Sequence, residues 1–202
     1  MKYLAIDTSG DLLVYLQVDE KEFVKKLAGS QTKHSLTLMP FLEEILDEAK
    51  VSLSELDFFA VVIGPGSFTG IRIGVATIKA LAFANSKKAL SLTSFDLIAY
   101  ASNAPQRVCC LVDANHDNYY CAFYSDKQLV NSPSFMSYEQ LRENLADFTP
   151  SSFKQTLFES GIICDSLSGL KNAVIAKVND ITDYNNVEPL YVKRSQAEEE
   201  SC

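Results

Sequence analysis

A glycine-rich segment at residues 64–74, with the sequence GPGSFTGIRIG, has the composition of an anion-binding turn. It follows an apolar run ending at Ile63 and precedes a long apolar stretch, which is the pattern of a strand followed by a helix. Backbone N–H groups at such a turn can hold a phosphate at the helix N-terminus. The segment lacks the Gly-Lys-Ser/Thr of a P-loop and the G-x-G-x-x-G spacing of a dinucleotide site. A phosphate cradle of another kind is one interpretation.

The spacing of the small residues supports a second interpretation, close packing. Gly66, Gly70 and Gly74 recur every four residues, and a second row is formed at the same interval by Ala76, Ala80 and Ala84. Such ridges on one helix let a neighbouring backbone approach closely. Both interpretations stay open at this point.

Two aspartates end apolar strands and are followed by small residues, as in ATPases that bind a magnesium nucleotide between two lobes. They are Asp7 and Asp113. The turn after Asp113, residues 114–118, has no glycine where the backbone would meet phosphate oxygens. The alternative is that both are ordinary turn aspartates, and we expect no cofactor. A nucleotide-dependent ATPase or phosphotransferase remains the alternative function.

The other chemistry-bearing residues form no catalytic pattern. Neither His34 nor His116 has a histidine or cysteine three or four residues away, so no helix-borne metal pair is predicted. Ser67 directly follows a glycine, which does not match the G-x-S-x-G of a nucleophile elbow. The sequence therefore predicts neither catalytic residues nor metal ligands.

Periodicity predicts an α/β chain of two lobes, divided at residues 103–105 into 1–102 and 103–202. The first lobe has the order βββαβαβα: strands at 2–9, 12–18, 23–28, 57–63 and 88–92, and helices at 33–50, 71–85 and 94–102. The second begins in the same way but is shorter: strands at 107–113, 119–125 and 126–132, one or two more within 154–164, and helices at 138–147 and 165–177.

The two long helices of the first lobe carry more apolar surface than one sheet needs. The helix at 33–50, with Thr32 as its predicted cap after a break at Gly29-Ser30, has two apolar stripes. One comprises Leu36, Met39, Leu42 (or Glu43), Leu46 and Ala49, and the other His34, Leu38, Phe41 and Ile45. The helix at 71–85 is apolar nearly all round. These helices are expected to be covered by a partner as well as by their own sheet.

Composition excludes several classes of protein. The chain has 202 residues, of which 47% are hydrophobic and 22% charged, as in ordinary globular proteins. Its net charge of −8 disfavours direct nucleic-acid binding. Its apolar runs are too short to span a bilayer, and its start does not have the pattern of a signal peptide. Five cysteines without a C-x-x-C pair indicate reduced thiols in the cytoplasm, and the acidic tail at 197–201 is expected to be solvated.

Several segments, taken in order along the chain, resemble the TsaB (YeaZ) family, the dimerisation subunits of the bacterial machinery that makes N6-threonylcarbamoyladenosine at position 37 of tRNA. The specific match is the glycine-rich segment 64–74; the supporting matches are 5–9, 33–35, 38–40, 111–114, Tyr120 and 188–192. The family's usual arginine and glutamate after the second aspartate are replaced by Asn115 and Asn118. If the family's contacts with other proteins or a nucleotide involve this turn, they would differ here.

The resemblance implies an actin-like/Hsp70-like fold of two ribonuclease H-like lobes and a non-catalytic role. It implies pairing with a TsaD-like catalytic paralogue, or with itself, through the first-lobe helices, recruitment of a TsaE-like ATPase, and contact with tRNA only through the complex. The histidine pair that binds metal in TsaD is absent. The expected interface comprises His34, Leu38, Phe41, Ile45, Gly70, Ile71, Gly74, Val75 and Ile78.

Overall fold

The computed structural model describes residues 1–28 and 33–193, which form two compact units. The first unit comprises Met1–Thr93 and Ala173–Pro189, and the second comprises Ser94–Asn172 with the described residues after Pro189. The first contains β1 (Lys2–Asp7), β2 (Leu12–Val18), β3 (Lys21–Leu27), α1 (His34–Ala49), β4 (Phe58–Val62), α2 (Phe68–Asn85) and β5 (Lys88–Leu92). The second contains α3 (Ser94–Tyr100), β6 (Arg107–Asp113), β7 (Asn118–Ser125), β8 (Gln128–Leu129), β9 (Ser134–Ser137), α4 (Tyr138–Asn144), β10 (Thr149–Ser152) and β11 (Ile162–Ile163). The last helix, α5 (Ser166–Ala176), begins in the second unit. It leads into Ala173–Pro189, which belongs to the first unit and is hereafter called the returning segment.

The first unit is a five-stranded mixed sheet in the order β3-β2-β1-β4-β5. Strands β1, β2 and β3 pair antiparallel, whereas β4 pairs parallel with β1 and β5. Leu4, Leu16 and Phe59 lie side by side across three strands on one face of the sheet. The buried stripes of α1 and α2 pack on this same face. Every residue of β4 is buried, which explains its continuous apolar run.

The ends of the two long helices follow local chemistry. The α1 helix ends at Ala49 and is followed by Lys50, whose left-handed backbone (φ 54°) caps the helix. The predicted cap of α1, Thr32, and the predicted break at Gly29-Ser30 lie outside the described residues. The α2 helix begins three residues before the predicted Ile71, because the Ser67 side chain accepts a hydrogen bond from the Gly70 N–H (3.1 Å) and caps the first turn.

A segment from the end of the chain completes the first unit. Ala89 and Thr182 exchange two backbone hydrogen bonds (3.0 and 2.9 Å) at the outer edge of β5. The Lys79 ammonium donates to the Asn185 and Val187 carbonyls (3.2 Å each), and the Val187 side chain is fully buried. The two observed units therefore differ from the predicted division into 1–102 and 103–202.

The second unit is a sheet in the order β11-β10-β6-β7-β8, with β9 pairing to β7. Its central strand β6 is antiparallel to β7 and parallel to β10, just as β1 is antiparallel to β2 and parallel to β4. The α3 helix, which was predicted to end the first lobe, packs with its Phe95 and Ile98 side chains against β6 and β7. The predicted α/β class with mixed sheets is confirmed.

The cysteines of the described chain are free and buried in the second unit: Cys109, Cys110, Cys121 and Cys164. Burial raises the pKa of each thiol, so all four stay protonated at neutral pH. They therefore act as small apolar side chains of the core. Among the described residues, every helix is too short or too polar to cross a membrane.

Candidate protein-docking site

The glycine-rich segment packs on the turn that follows β1. A Cβ atom on Gly66 would lie 2.3 Å from the Ser9 carbonyl oxygen, and one on Gly70 would lie 1.9 Å from the Thr8 carbonyl oxygen. The Ser67 N–H donates to the Ser9 carbonyl (2.6 Å), and the Thr8 hydroxyl donates to the Gly70 carbonyl (2.7 Å). The space freed by the glycines is therefore filled by the chain's own backbone, which supports the packing interpretation over the phosphate cradle.

Asp7 is buried beside this turn and serves the turn itself. Its Oδ1 accepts hydrogen bonds from the Ser9 N–H (2.8 Å) and the Ser9 hydroxyl (2.6 Å). Burial raises the pKa of the Asp7 carboxyl group, and the two bonds from Ser9 oppose only part of that rise. The hydrogen bonds that the Asp7 side chain makes to Ser9 support its interpretation as a turn aspartate.

Asp7→Asn is expected to leave the chain at least as stable as the wild type at pH 7, because an amide oxygen still accepts from Ser9. The folded state binds the Asp7 proton more tightly than the unfolded state, so the wild type loses stability as pH rises from about 4, the ordinary pKa of an aspartate. The advantage of Asn should therefore shrink as pH falls towards 4. Urea unfolding followed by circular dichroism between pH 4.5 and 8 measures it.

Asp7→Ala is the control, since it leaves the Ser9 donors without their acceptor and should cost about 1–2 kcal/mol at pH 7. A large loss of stability in Asp7→Asn at pH 7, equal to that of Asp7→Ala, would contradict this account of the carboxyl group.

Asp113, in the second unit, is exposed and also belongs to a turn. Its Oδ1 accepts a hydrogen bond from the Asn115 N–H (2.8 Å). Three consecutive residues of this turn, Asn115, His116 and Asp117, have left-handed backbone (φ 65°, 53° and 58°) without being glycine. No group of three or more His, Cys, Asp or Glu side chains capable of holding a metal ion occurs in residues 1–28 and 33–193.

Most of the residues predicted for the partner interface are buried in the first unit's own core. Seven of the nine are covered by their own sheet and helices: Leu38, Ile45, Gly70, Ile71, Gly74, Val75 and Ile78. Phe41 is partly buried against the same core. His34 is also partly buried, and burial lowers the pKa of its imidazole, although the nearby Asp11 carboxylate opposes this. The interface residues predicted from the sequence therefore lie on the stripe of each helix that faces its own sheet.

The opposite faces of the same helices expose apolar side chains. On α1, Leu36 is 70% exposed and Met39 is 47% exposed. On α2, Phe83 is 69% exposed, and the alanine row at 76, 80 and 84 lies on the same exposed face. These two outer faces, hereafter the docking face, lie on the helix layer that covers one side of the first sheet. The alanine row that the sequence analysis singled out is thus on the accessible side of α2.

The docking face continues onto the flanks by which α1 and α2 face each other. The Lys25 ammonium pairs with Glu44 and Glu48, which places that flank of α1 towards β3. Met39 and Leu46 are on the other flank, towards α2. On α2, Lys79 contacts the returning segment. Ile73 and Leu81 are on a different side of this helix, away from the returning segment and towards α1. Apolar side chains from both helices thus border one strip.

Comparison with known proteins identifies the family. The sequence model described as "TsaD: tRNA N6-adenosine threonylcarbamoyltransferase" matches residues 27–188. The chain belongs to the TsaD family. The resemblance to TsaB (YeaZ) proteins stated from the sequence agrees with the names of the chain's curated relatives.

The curated relatives of this TsaD-family chain include proteins named "tRNA threonylcarbamoyladenosine biosynthesis protein TsaB". The one from Haemophilus influenzae is 30% identical over 122 residues, covering 58% of this chain and 51% of the relative. The one from Escherichia coli is 27% identical over 127 residues, covering 61% and 55%. The matches therefore span about half the length of these relatives.

A solved structure has the same fold as this TsaD-family chain. The protein described as YeaZ from Pseudomonas aeruginosa has a TM-score of 0.76 at 24% identity, covering 94% of this chain and 99% of that one. The two-lobed actin-like class predicted from the sequence is confirmed.

Proposed function

We propose that this chain is a non-catalytic subunit of the machinery that attaches a threonylcarbamoyl group to adenosine 37 of tRNA. It acts by binding a TsaD-like catalytic paralogue through the docking face of α1 and α2. The observation that carries this proposal is the exposed apolar character of that face. An apolar strip on two adjacent helices is typical of surfaces that bind another protein.

The shape of the docking face favours a partner that offers helices. The alanine row on α2 lets a neighbouring backbone approach closely, while Leu36 and Met39 on α1 offer side chains that can insert between the turns of an opposing helix. Two helices of a partner seated on α1 and α2 would form a four-helix cluster. The same face would serve a second copy of this chain when the paralogue is absent, so the two assemblies would compete.

The chain would support catalysis without contributing a reacting group. By binding one conformation of the TsaD-like subunit more tightly than others, it would raise the population of the active one. The joint surface would then help to recruit a TsaE-like ATPase, and tRNA would be contacted only through the complex. We place this activity in the cytoplasm, because the free buried cysteines suit a reducing compartment.

The direct test combines the chain with the TsaD-like paralogue and the TsaE-like ATPase of the same organism. Sedimentation velocity should show a complex of the chain with the paralogue. Formation of threonylcarbamoyladenosine on tRNA should require the chain, and the chain with ATP and tRNA alone should form no product. Product formation that proceeds equally well without the chain, or the absence of any complex, would contradict the proposal.

A further inference from the structure

The outer line of α1 changes from apolar to acidic along its length. Leu36, Pro40, Glu43 and Asp47 follow one another at intervals of four, three and four residues, which places them on one line of the helix surface. All four are exposed. The two apolar residues at the start of this line are therefore followed by two carboxylates on the same face of α1.

These two carboxylates differ from their neighbours on the same helix. Glu44 and Glu48 pair with the Lys25 ammonium of β3 at 3.4 and 3.3 Å. Among the residues that the structure describes, no ion pair or hydrogen bond of the side chain is recorded for Glu43 or Asp47. Their charges are therefore not compensated within residues 1–28 and 33–193.

The position of Glu43 and Asp47 is unfavourable for the isolated helix. They stand four residues apart, where like charges repel each other. Asp47 is also in the last turn of α1, where the helix dipole disfavours a negative charge and where this helix has no basic residue. A positive charge brought by a partner would relieve both effects.

The docking face itself offers little positive charge to a second copy. On α2, Arg72 is the exposed basic residue, and its guanidinium lies over the Phe68 ring at 3.8 Å. Lys79 is engaged by the carbonyls of the returning segment. Two copies that met face to face would bring together the four carboxylates of Glu43 and Asp47 and two Arg72 side chains, with Lys33 and Lys50 at the ends of each α1, in chains that each carry a net charge of −8.

We propose that Glu43 and Asp47 select a partner helix whose apolar stripe is continued by lysine or arginine residues, and that they disfavour pairing of the chain with itself. This inference rests on the proposed function, because the partner meant is the TsaD-like paralogue. Charge complementarity beside an apolar contact sets partner choice more than total affinity. The two assemblies should therefore respond to salt in opposite directions. As the salt concentration rises, the affinity for the TsaD-like paralogue falls and the affinity of the chain for a second copy of itself increases.

The experiment compares Glu43→Gln/Asp47→Asn with the wild type, using the purified TsaD-like paralogue as the probe. The double variant should bind the paralogue about three- to tenfold more weakly at 50 mM salt and should self-associate more tightly by a similar factor. The matched control is Glu44→Gln/Glu48→Gln, which removes the same charge from the same helix but on the flank that faces Lys25. It should change neither equilibrium by more than about twofold. Isothermal calorimetry and sedimentation equilibrium at 50 and 500 mM salt measure both.

The outcomes separate the two proposals. If the double variant binds the paralogue as tightly as the wild type, or if both double variants weaken it equally, selection by Glu43 and Asp47 is overturned while the proposed function stands. If the wild type itself does not bind the paralogue at either salt concentration, both proposals are overturned.

Discussion

Ala76→Arg is expected to abolish binding of the TsaD-like paralogue while leaving the chain folded. Ala76 is exposed in the middle of the docking face, so an arginine there is solvated in the free chain. In a complex it would hold the partner's backbone away from the alanine row and bury a charge. We expect at least a hundredfold loss of affinity, or about 2.7 kcal/mol, measured by isothermal calorimetry. The thermal midpoint should change by no more than about 2 °C.

The preceding residue provides a sharp contrast to Ala76. Val75 is 5% exposed and packs in the first unit's core, so Val75→Glu buries a carboxylate and should unfold the unit, which circular dichroism would detect. Ala76→Ser, which adds one small polar atom, should bind within about threefold of the wild type. If Ala76→Arg still binds the paralogue like the wild type, the docking face is elsewhere.

Gly70→Ala is expected to destabilise the first unit strongly, although alanine is the better helix former. In an open helix position the substitution would stabilise by up to about 1 kcal/mol. Here the added Cβ would lie 1.9 Å from the Thr8 carbonyl oxygen, and neither backbone can yield easily. We expect a loss of about 2–4 kcal/mol in the free energy of unfolding. Because the chain has no tryptophan, circular dichroism in urea is the suitable probe.

Two other glycines, whose substitution by alanine should cost less stability, provide a comparison. A Cβ on Gly74 would lie 2.4 Å from the Thr8 hydroxyl oxygen, a side-chain atom that can rotate away, so Gly74→Ala should cost less. A Cβ on Gly10 would meet nothing within 4 Å, so Gly10→Ala should stay within about 0.5 kcal/mol of the wild type. If all three substitutions cost the same, the packing account of the glycines fails.

The elements with a clear period were predictable to within a residue or two. Strands β5 and β6 have the predicted bounds, Lys88–Leu92 and Arg107–Asp113, because each is an apolar run between turn residues. The short strands β9 (SFMS) and β10 (TPSS) lay outside the predicted strands, since small polar residues and a proline hide the alternation. Tertiary pairing to longer strands holds them in place.

The candidate site shows where periodicity stops being informative. Both faces of α2 are apolar, so the sequence predicted that this helix has more apolar surface than its own sheet can cover. It did not predict which stripe would pack on the sheet. The glycine row meets the Thr8-Ser9 backbone, and this contact decides the orientation of the helix. The partner of that row is 62 residues away in sequence at the Thr8–Gly70 bond, a distance over which local patterns carry no information.

The returning segment has a consequence for biosynthesis. While the chain emerges from the ribosome, the outer edge of β5 has no strand-like neighbour until Thr182 is made, and the hydrophobic site of Val187 stays unfilled until that residue has been translated as well. The nascent first unit therefore reaches its final form only after every strand of the second unit has been synthesised, and a truncation between β11 and Thr182 would damage the unit that is translated first.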